Sequence, residues 1–283
     1  MERLEAFRVL KLRGLLIWVL LFILFVILVL KITKRVFLLD VSDPTVYIVF
    51  TYFLYGIIMI WILRCITKLQ LDWKTLLGSF PNNYQWLKLI FTVITLLIFS
   101  SGTFLLIFYG LSFVIPAYAY ANMSENEYLT ASQTAIPLLY NVLDCLFGVV
   151  VAPIVEELLF RGMILHRLTV KWNSKYAILI SSLLFGFIHF DIIGKSIFGF
   201  FMAILYIKSK SLFVPIIAHA VHNAVASWVR YSSSDVVNVS LSMEEYRSVV
   251  WIGIFALCIT APFIIAFMSK NWPKKNLKLP YFA

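Results

Sequence analysis

Charge is scarce in this chain. Only 13% of its 283 residues are Asp, Glu, Lys or Arg, against 62% hydrophobic, and soluble domains carry about 25% charged side chains. That shortage excludes a water-soluble globular protein. Cysteine is scarce too. Cys65, Cys145 and Cys258 are odd in number, far apart and set in apolar surroundings, so they suggest neither a disulfide framework nor a zinc finger and read as buried membrane thiols. Also missing are internal repeats, a GxxxG pattern, a glycine-rich phosphate loop and the helix-borne HExxH of zinc proteases. The formal net charge of +10 does not indicate a nucleic-acid partner. The basic residues are dispersed at the ends of apolar runs, where they read as topology signals and as contacts with the lipid bilayer.

What is present is length and grease. The apolar runs are continuous and helix-sized rather than short and alternating, which predicts an all-α, polytopic membrane helical bundle and not a β-barrel. Eight transmembrane helices are expected near 14–32, 44–63, 87–113, 137–165, 175–193, 196–208, 211–229 and 248–269. The sixth and seventh are joined only by Lys208-Ser209-Lys210, a tight hairpin. The whole chain, 1–283, reads as one membrane domain, with 1–136 packing around a catalytic core at 137–229. An amphipathic stretch at 68–80, with Leu69, Trp73, Leu76, Leu77 and Phe80 on one face, predicts a short interfacial helix. The basic N-terminus before Gly14 resembles a signal sequence, but Lys31-Ile32-Thr33-Lys34-Arg35 follows where a small-residue cleavage site would stand, so an uncleaved first span is expected.

Lysine and arginine orient the bundle. With the N-terminus inside, the cytoplasmic segments hold Arg3, Arg8, Lys11 and Arg13, then Arg64, Lys68 and Lys74, then Arg167, Lys171 and Lys175, then Lys208 and Lys210, and finally Lys270, Lys274, Lys275 and Lys278. Outside fall Lys31, Lys34, Arg35, Lys195, Arg230 and Arg247, and the 117–135 loop offers only Glu125 and Glu127. A multi-pass protein of the cell membrane with both termini cytoplasmic is expected. Lys31, Lys34 and Arg35 count against that orientation. The loops 117–135 and 231–247 are polar, as outer loops should be.

Three polar inserts interrupt the grease: Glu156-Glu157 with Arg161, Phe185 with His189, and His219 with His222 and Asn223. An ion at mid-membrane costs at least about 2.5–3.5 kcal/mol, so such residues face functional interiors. Helical rise puts Glu156 about 18 Å, His189 about 21 Å, His219 about 12 Å and Asn223 about 18 Å from the predicted cytoplasmic ends. The inserts therefore share one layer. Glu157 and Arg161 stand one turn apart and pair, whereas Glu156, about 100° round the helix from Glu157, faces the cavity. A carboxylate near an imidazole suits the activation of water, and a histidine with an asparagine on a second helix suits an oxyanion. No serine or cysteine sits beside a base, which disfavours a covalent nucleophile.

Glu156-Glu157-x-x-x-Arg161, then Phe185-x-x-x-His189, then His219-x-x-x-Asn223, in that order, resemble the motifs of the CAAX protease and bacteriocin-processing family of intramembrane endopeptidases, which includes the type II CAAX prenyl endopeptidase. The resemblance covers about a third of the chain. It implies Glu156 as the water-activating glutamate, His189 as its histidine partner, His219 and Asn223 as the oxyanion pair, and Glu157 and Arg161 as structural companions. His222 and Phe185 are read as supports around them, and His166 as a cytoplasmic loop residue. Members are described both as metalloproteases and as metal-free glutamate proteases. The expectation is no metal and no cofactor, and the alternative is zinc on Glu156, His189 and His219. The expected partners are a peptide or membrane-protein substrate. The competing reading from another class is a non-catalytic membrane protein of the same fold, acting in bacteriocin immunity or on a sensor kinase and so partnered by a bacteriocin peptide or that kinase. A proton-coupled transporter is a third reading, disfavoured by the lack of inverted halves.

Overall fold

The computed structural model describes residues 3–36, 43–123, 134, 136–234, 242–274 and 277–282. Of the polar loops expected at 117–135 and 231–247, residues 124–133, 135 and 235–241, with Glu125 and Glu127, lie outside those residues, as does Lys275 near the C-terminus. The described residues form helices and no strand: α1 Arg3–Val9, α2 Leu12–Val36, α3 Pro44–Lys68, α4 Trp73–Leu77, α5 Trp86–Val114, α6 Pro116–Met123, α7 Pro137–Lys171, α8 Ser174–Phe187, α9 Ile192–Ser209, α10 Phe213–Ser234, α11 Met243–Ser248 and α12 Val250–Lys270. The protein is a multi-pass membrane bundle. Six helical stretches are long and apolar enough to cross a membrane, and α8 and the Phe213–Val229 stretch of α10 are shorter apolar helices. Together they match the eight expected spans one for one.

Burial sorts these helices into shell and core. In α2 most side chains face outward, including Leu16, Leu20, Leu24 and Leu28, as lipid contact requires. In α9, Phe198 through Tyr206 form an unbroken buried run, so this helix is the central post of the bundle. The α9–α10 hairpin turns on Lys210, which takes a left-handed backbone at φ 53°. The hairpin is pinned by the Leu212 N–H donating to the Leu77 carbonyl at 2.8 Å.

Several expectations are corrected. The interfacial helix expected at 68–80 is shorter than that, only α4, with Leu76 fully buried and Trp73 and Lys74 exposed. His166 is no loop residue. It is fully buried on α7, stacked on Phe7 at 5.0 Å, with Nδ1 against the Arg161 and Gly162 carbonyls. Cys145 and Cys258 are exposed on the outside of the bundle, and Cys65 is half-buried. Phe7 of α1 also meets Tyr281 and Phe282 edge-on, so the two ends of the described chain gather at the same end of the bundle, as an even number of spans requires.

Candidate active site

The site is built on α7, which does not wind uniformly. Two π-helical stretches, Phe147–Val151 and Leu158–Ile164, flank the α-helical Ala152–Glu157. In the first, the Ala152 N–H reaches back five residues to the Phe147 carbonyl. The next donor in that register would be residue 153, but Pro153 has no N–H, and the Gly148 carbonyl is left over. Asn223 of α10 supplies the missing donor, its Nδ2 lying 2.7 Å from the Gly148 oxygen. A proline in the helix thus fixes the asparagine of the neighbouring one, by the rule that buried backbone polar groups find partners. Wide turns of this kind inside helices are frequent at functional sites.

Glu156 and Glu157 follow directly, and both are buried, at 5% and 0% exposure. Glu157 Oε1 accepts from Arg161 Nη1 at 2.9 Å and lies 3.0 Å from His219 Nδ1. The other arm of the Arg161 guanidinium donates to the Gly199 carbonyl at 2.8 Å, and its face lies 4.8 Å above the Phe185 ring. Gly199 also packs closely on α8, where a Cβ would stand 3.1 Å from the Ser182 backbone and crowd it. Glu156 Oε1 accepts from the Tyr55 hydroxyl of α3 at 2.5 Å. Its Oε2 lies 4.0 Å from His219 Nε2 and has no hydrogen-bond partner among the described residues. The two carboxylates, on successive residues, therefore address opposite nitrogens of one imidazole. The expected Glu157–Arg161 pair is present, and Glu157 does more than neutralise the arginine, because it also holds His219.

The His189 segment departs from expectation in its backbone. The fifth span was expected to run through 193, but α8 stops at Phe187, and a turn carries His189 before α9 begins at Ile192. Fourteen helical residues rise about 21 Å, short of a hydrocarbon core of about 30 Å. The turn therefore sits at membrane depth, where irregular backbone survives only buried in protein or lining a cavity. Asp191 makes it possible. Asp191 is buried, caps α9 through the Gly194 N–H at 2.9 Å, and accepts from Ser100 at 2.5 Å and Thr103 at 2.9 Å on α5. His189 stacks on Phe185 at 4.7 Å and directs Nδ1 to the Phe185 carbonyl at 2.7 Å. A carbonyl only accepts, so Nδ1 carries the proton and Nε2 is the free nitrogen. The imidazole nearest Glu156 is that of His219 rather than His189.

Phe185, expected as a support, is the fully buried floor that touches His189, Arg161 and His219. His222 is buried against Phe198 at 4.7 Å, with Nδ1 3.3 Å from Asn223 Oδ1, so it braces the asparagine. The structure thus gathers Glu156, Glu157, Arg161, His219 and Phe185 through direct contacts, joins His189 to them through Phe185, and joins Asn223 to Gly148, eight residues before Glu156. Tyr55 was missed. It lies mid-span in α3, and a tyrosine in an apolar run reads as part of an interfacial belt. Its distance from either end of the span was the available signal. Among the described residues no three His, Cys, Asp or Glu side chains are grouped to hold a metal ion. The zinc set of Glu156, His189 and His219 is not gathered as a metal-holding group there.

Comparisons with known proteins agree with the motifs. Residues 138–225 match the family model described as type II CAAX prenyl endopeptidase Rce1-like. A curated protein of Bacillus subtilis (strain 168), named "Putative membrane peptidase YdiL", is 35% identical over 130 residues, which is 44% of this chain and 51% of that protein. The chain thus aligns with about half the length of that relative. No solved structure matches. The matched segment holds all three motifs and every residue of the site except Tyr55, and this bears out the resemblance of the core to the Rce1-like membrane endopeptidases.

Proposed function

We propose that the protein is an intramembrane endopeptidase that hydrolyses peptide or membrane-protein substrates with water activated by Glu156. The observation that carries this reading is the asymmetry of the Glu156 carboxylate. One oxygen is held by Tyr55, and the other is buried, free of hydrogen bonds and turned toward His219. In the reaction, Glu156 Oε2 takes a proton from water as the water oxygen bonds to the scissile carbonyl carbon. The second amide hydrogen of Asn223 faces the oxyanion that forms, and His219, held through Nδ1 by Glu157, stabilises it when Nε2 also carries a proton. Glu156 then returns the proton to the departing amine as the C–N bond breaks, leaving an acid and an amine. His189, with Nε2 free, accepts or relays a proton beside them. Aimed donors and a positioned base are worth several powers of ten each in acyl transfer, which is why the site keeps polar groups that are expensive to bury.

The test is Glu156→Ala and Glu156→Gln in membranes, with cleavage of a substrate that the wild type cuts and protein abundance read together. Loss of cleavage at normal abundance is expected. Retained cleavage would remove the central claim, and an unchanged cellular phenotype with cleavage abolished would favour the scaffold reading. We further propose that both termini are cytoplasmic. Reporter fusions to the C-terminus and in the 117–135 loop should register inside and outside respectively, and the reverse pattern would overturn the orientation.

A further inference from the structure

The corner where α1, α2 and α3 meet holds two adjoining hollows that share no residue with the site above. The first, about 440 Å³, is lined by Lys11, Arg64 and Lys68 over an apolar floor that includes Trp18 and Trp61. Among the described residues no Asp or Glu lines it. The Arg64 guanidinium lies over the Trp18 ring, its central carbon 4.9 Å from the ring centre. The second hollow, about 330 Å³, is lined among the described residues by Trp18, Leu21, Phe22, Phe25 and Ile57. Trp18 is common to both.

Their relative placement follows from the helices. Going inward from the basic end, α2 runs from Trp18 to Phe25 and α3 from Arg64 to Ile57, each about 10 Å by helical rise. The apolar groove therefore leaves the cationic hollow and heads toward the middle of the membrane along the α2–α3 seam. Three cations above a greasy slot at the membrane boundary are complementary to one molecule, a phosphate headgroup with an acyl chain below it. Arginine offers phosphate a planar fork and lysines supply point charge, and basic hollows between membrane helices are suited to anionic headgroups. We propose that this corner binds one anionic phospholipid, its phosphate held by Arg64, Lys11 and Lys68 and one chain laid against Phe22 and Phe25.

The bound lipid would fasten α2, which packs on little besides α3 and faces lipid along most of its length. The experiment is native mass spectrometry of the full chain in detergent, titrated separately with dioleoyl-phosphatidylglycerol and dioleoyl-phosphatidylcholine, and with inorganic phosphate as competitor. One tightly held phosphatidylglycerol is expected, with weak phosphatidylcholine and no displacement by phosphate. Neutralising a cation should weaken binding about fivefold, and the triple Lys11→Gln, Arg64→Gln, Lys68→Gln variant roughly a hundredfold. Ile57→Trp, which fills the groove and keeps every charge, should weaken phosphatidylglycerol too, so the inference stays testable if the triple variant fails to insert. Equal retention of both lipids, or full binding by either variant, would overturn it. Displacement by inorganic phosphate would show an anion site rather than a lipid site, and would overturn it as well.

Discussion

Replacing Tyr55 by Phe takes one oxygen from the site and leaves the ring, which packs edge-on against Phe147 at 4.6 Å. The lost contact is the 2.5 Å hydrogen bond to Glu156 Oε1. Hydrogen bonds to charged groups are worth about 1.5–3 kcal/mol, and each 1.36 kcal/mol of barrier is a factor of ten in rate. If the hydroxyl serves to aim Oε2, Tyr55→Phe should lower kcat by about ten- to a hundredfold and leave KM near the wild-type value. The same seam holds a built-in control. The Tyr52 hydroxyl, one turn away, donates to the Leu143 carbonyl at 2.8 Å, and its ring also meets Phe147, at 5.4 Å. Tyr52→Phe removes a neutral inter-helix bond worth about 1 kcal/mol, so it should lower the melting temperature by a few degrees and spare kcat. Turnover of a cleavable substrate in nanodiscs, measured beside tryptophan-monitored melting, separates the two. Wild-type kcat in Tyr55→Phe, with Glu156→Ala inactive, would refute the aiming role while leaving the glutamate mechanism standing. An equal fall in kcat for both tyrosine variants would reduce Tyr55 to a packing residue.

Arg161→Met strands the buried Glu157 charge and frees the Gly199 carbonyl, a change expected to destabilise the protein by about 3–5 kcal/mol and to be read as loss of folded protein in melting and abundance. Arg161→Lys should recover little of it, because an ammonium cannot serve Glu157, the Gly199 carbonyl and the Phe185 face together; full recovery would show that charge alone matters. Gly186→Ala would place a Cβ 2.1 Å from Ser196 Oγ and 2.5 Å from the Ile192 carbonyl, pushing α8 off α9 at an expected cost of about 1–3 kcal/mol, and a melting temperature equal to wild type would contradict that close approach. Prolonged chelation is expected to leave cleavage unchanged, since among the described residues no three such donor side chains are grouped to hold a metal ion. Activity lost on chelation and restored by zinc would turn His189 and His219 into ligands.

Much of the site was legible because its determinants are local. Glu157 and Arg161 meet because four residues make one helical turn, and the spans are readable because a hydrocarbon core demands continuous apolar length. The end of α8 was not, because Ile188, Phe190, Ile192 and Ile193 continue the hydropathy past the last helical residue. What stops the helix is a set of long-range contacts, with Ser100 and Thr103 of α5 holding the Asp191 cap. His166 was misplaced for the same reason: beside Arg167 it resembles a loop at the membrane edge, and it is α1, Tyr206 of α9 and the C-terminal segment, all distant in sequence, that close over its ring.

The Pro153–Asn223 relation shows where reading a single chain stops. Each residue is informative alone, the proline as a missing donor and the asparagine as a polar group in a membrane helix. Their connection through the Gly148 carbonyl depends on the five-residue register of the wide turn and on how far α10 is slid along α7. Neither is written locally. The consequence is positional, because the same hydrogen bond that repairs the backbone before Glu156 holds the Asn223 side chain against α7. A substitution of Pro153 that restores a backbone donor would give Gly148 a partner of its own and release Asn223. The helix defect is therefore part of the positioning of the site rather than damage that the site tolerates.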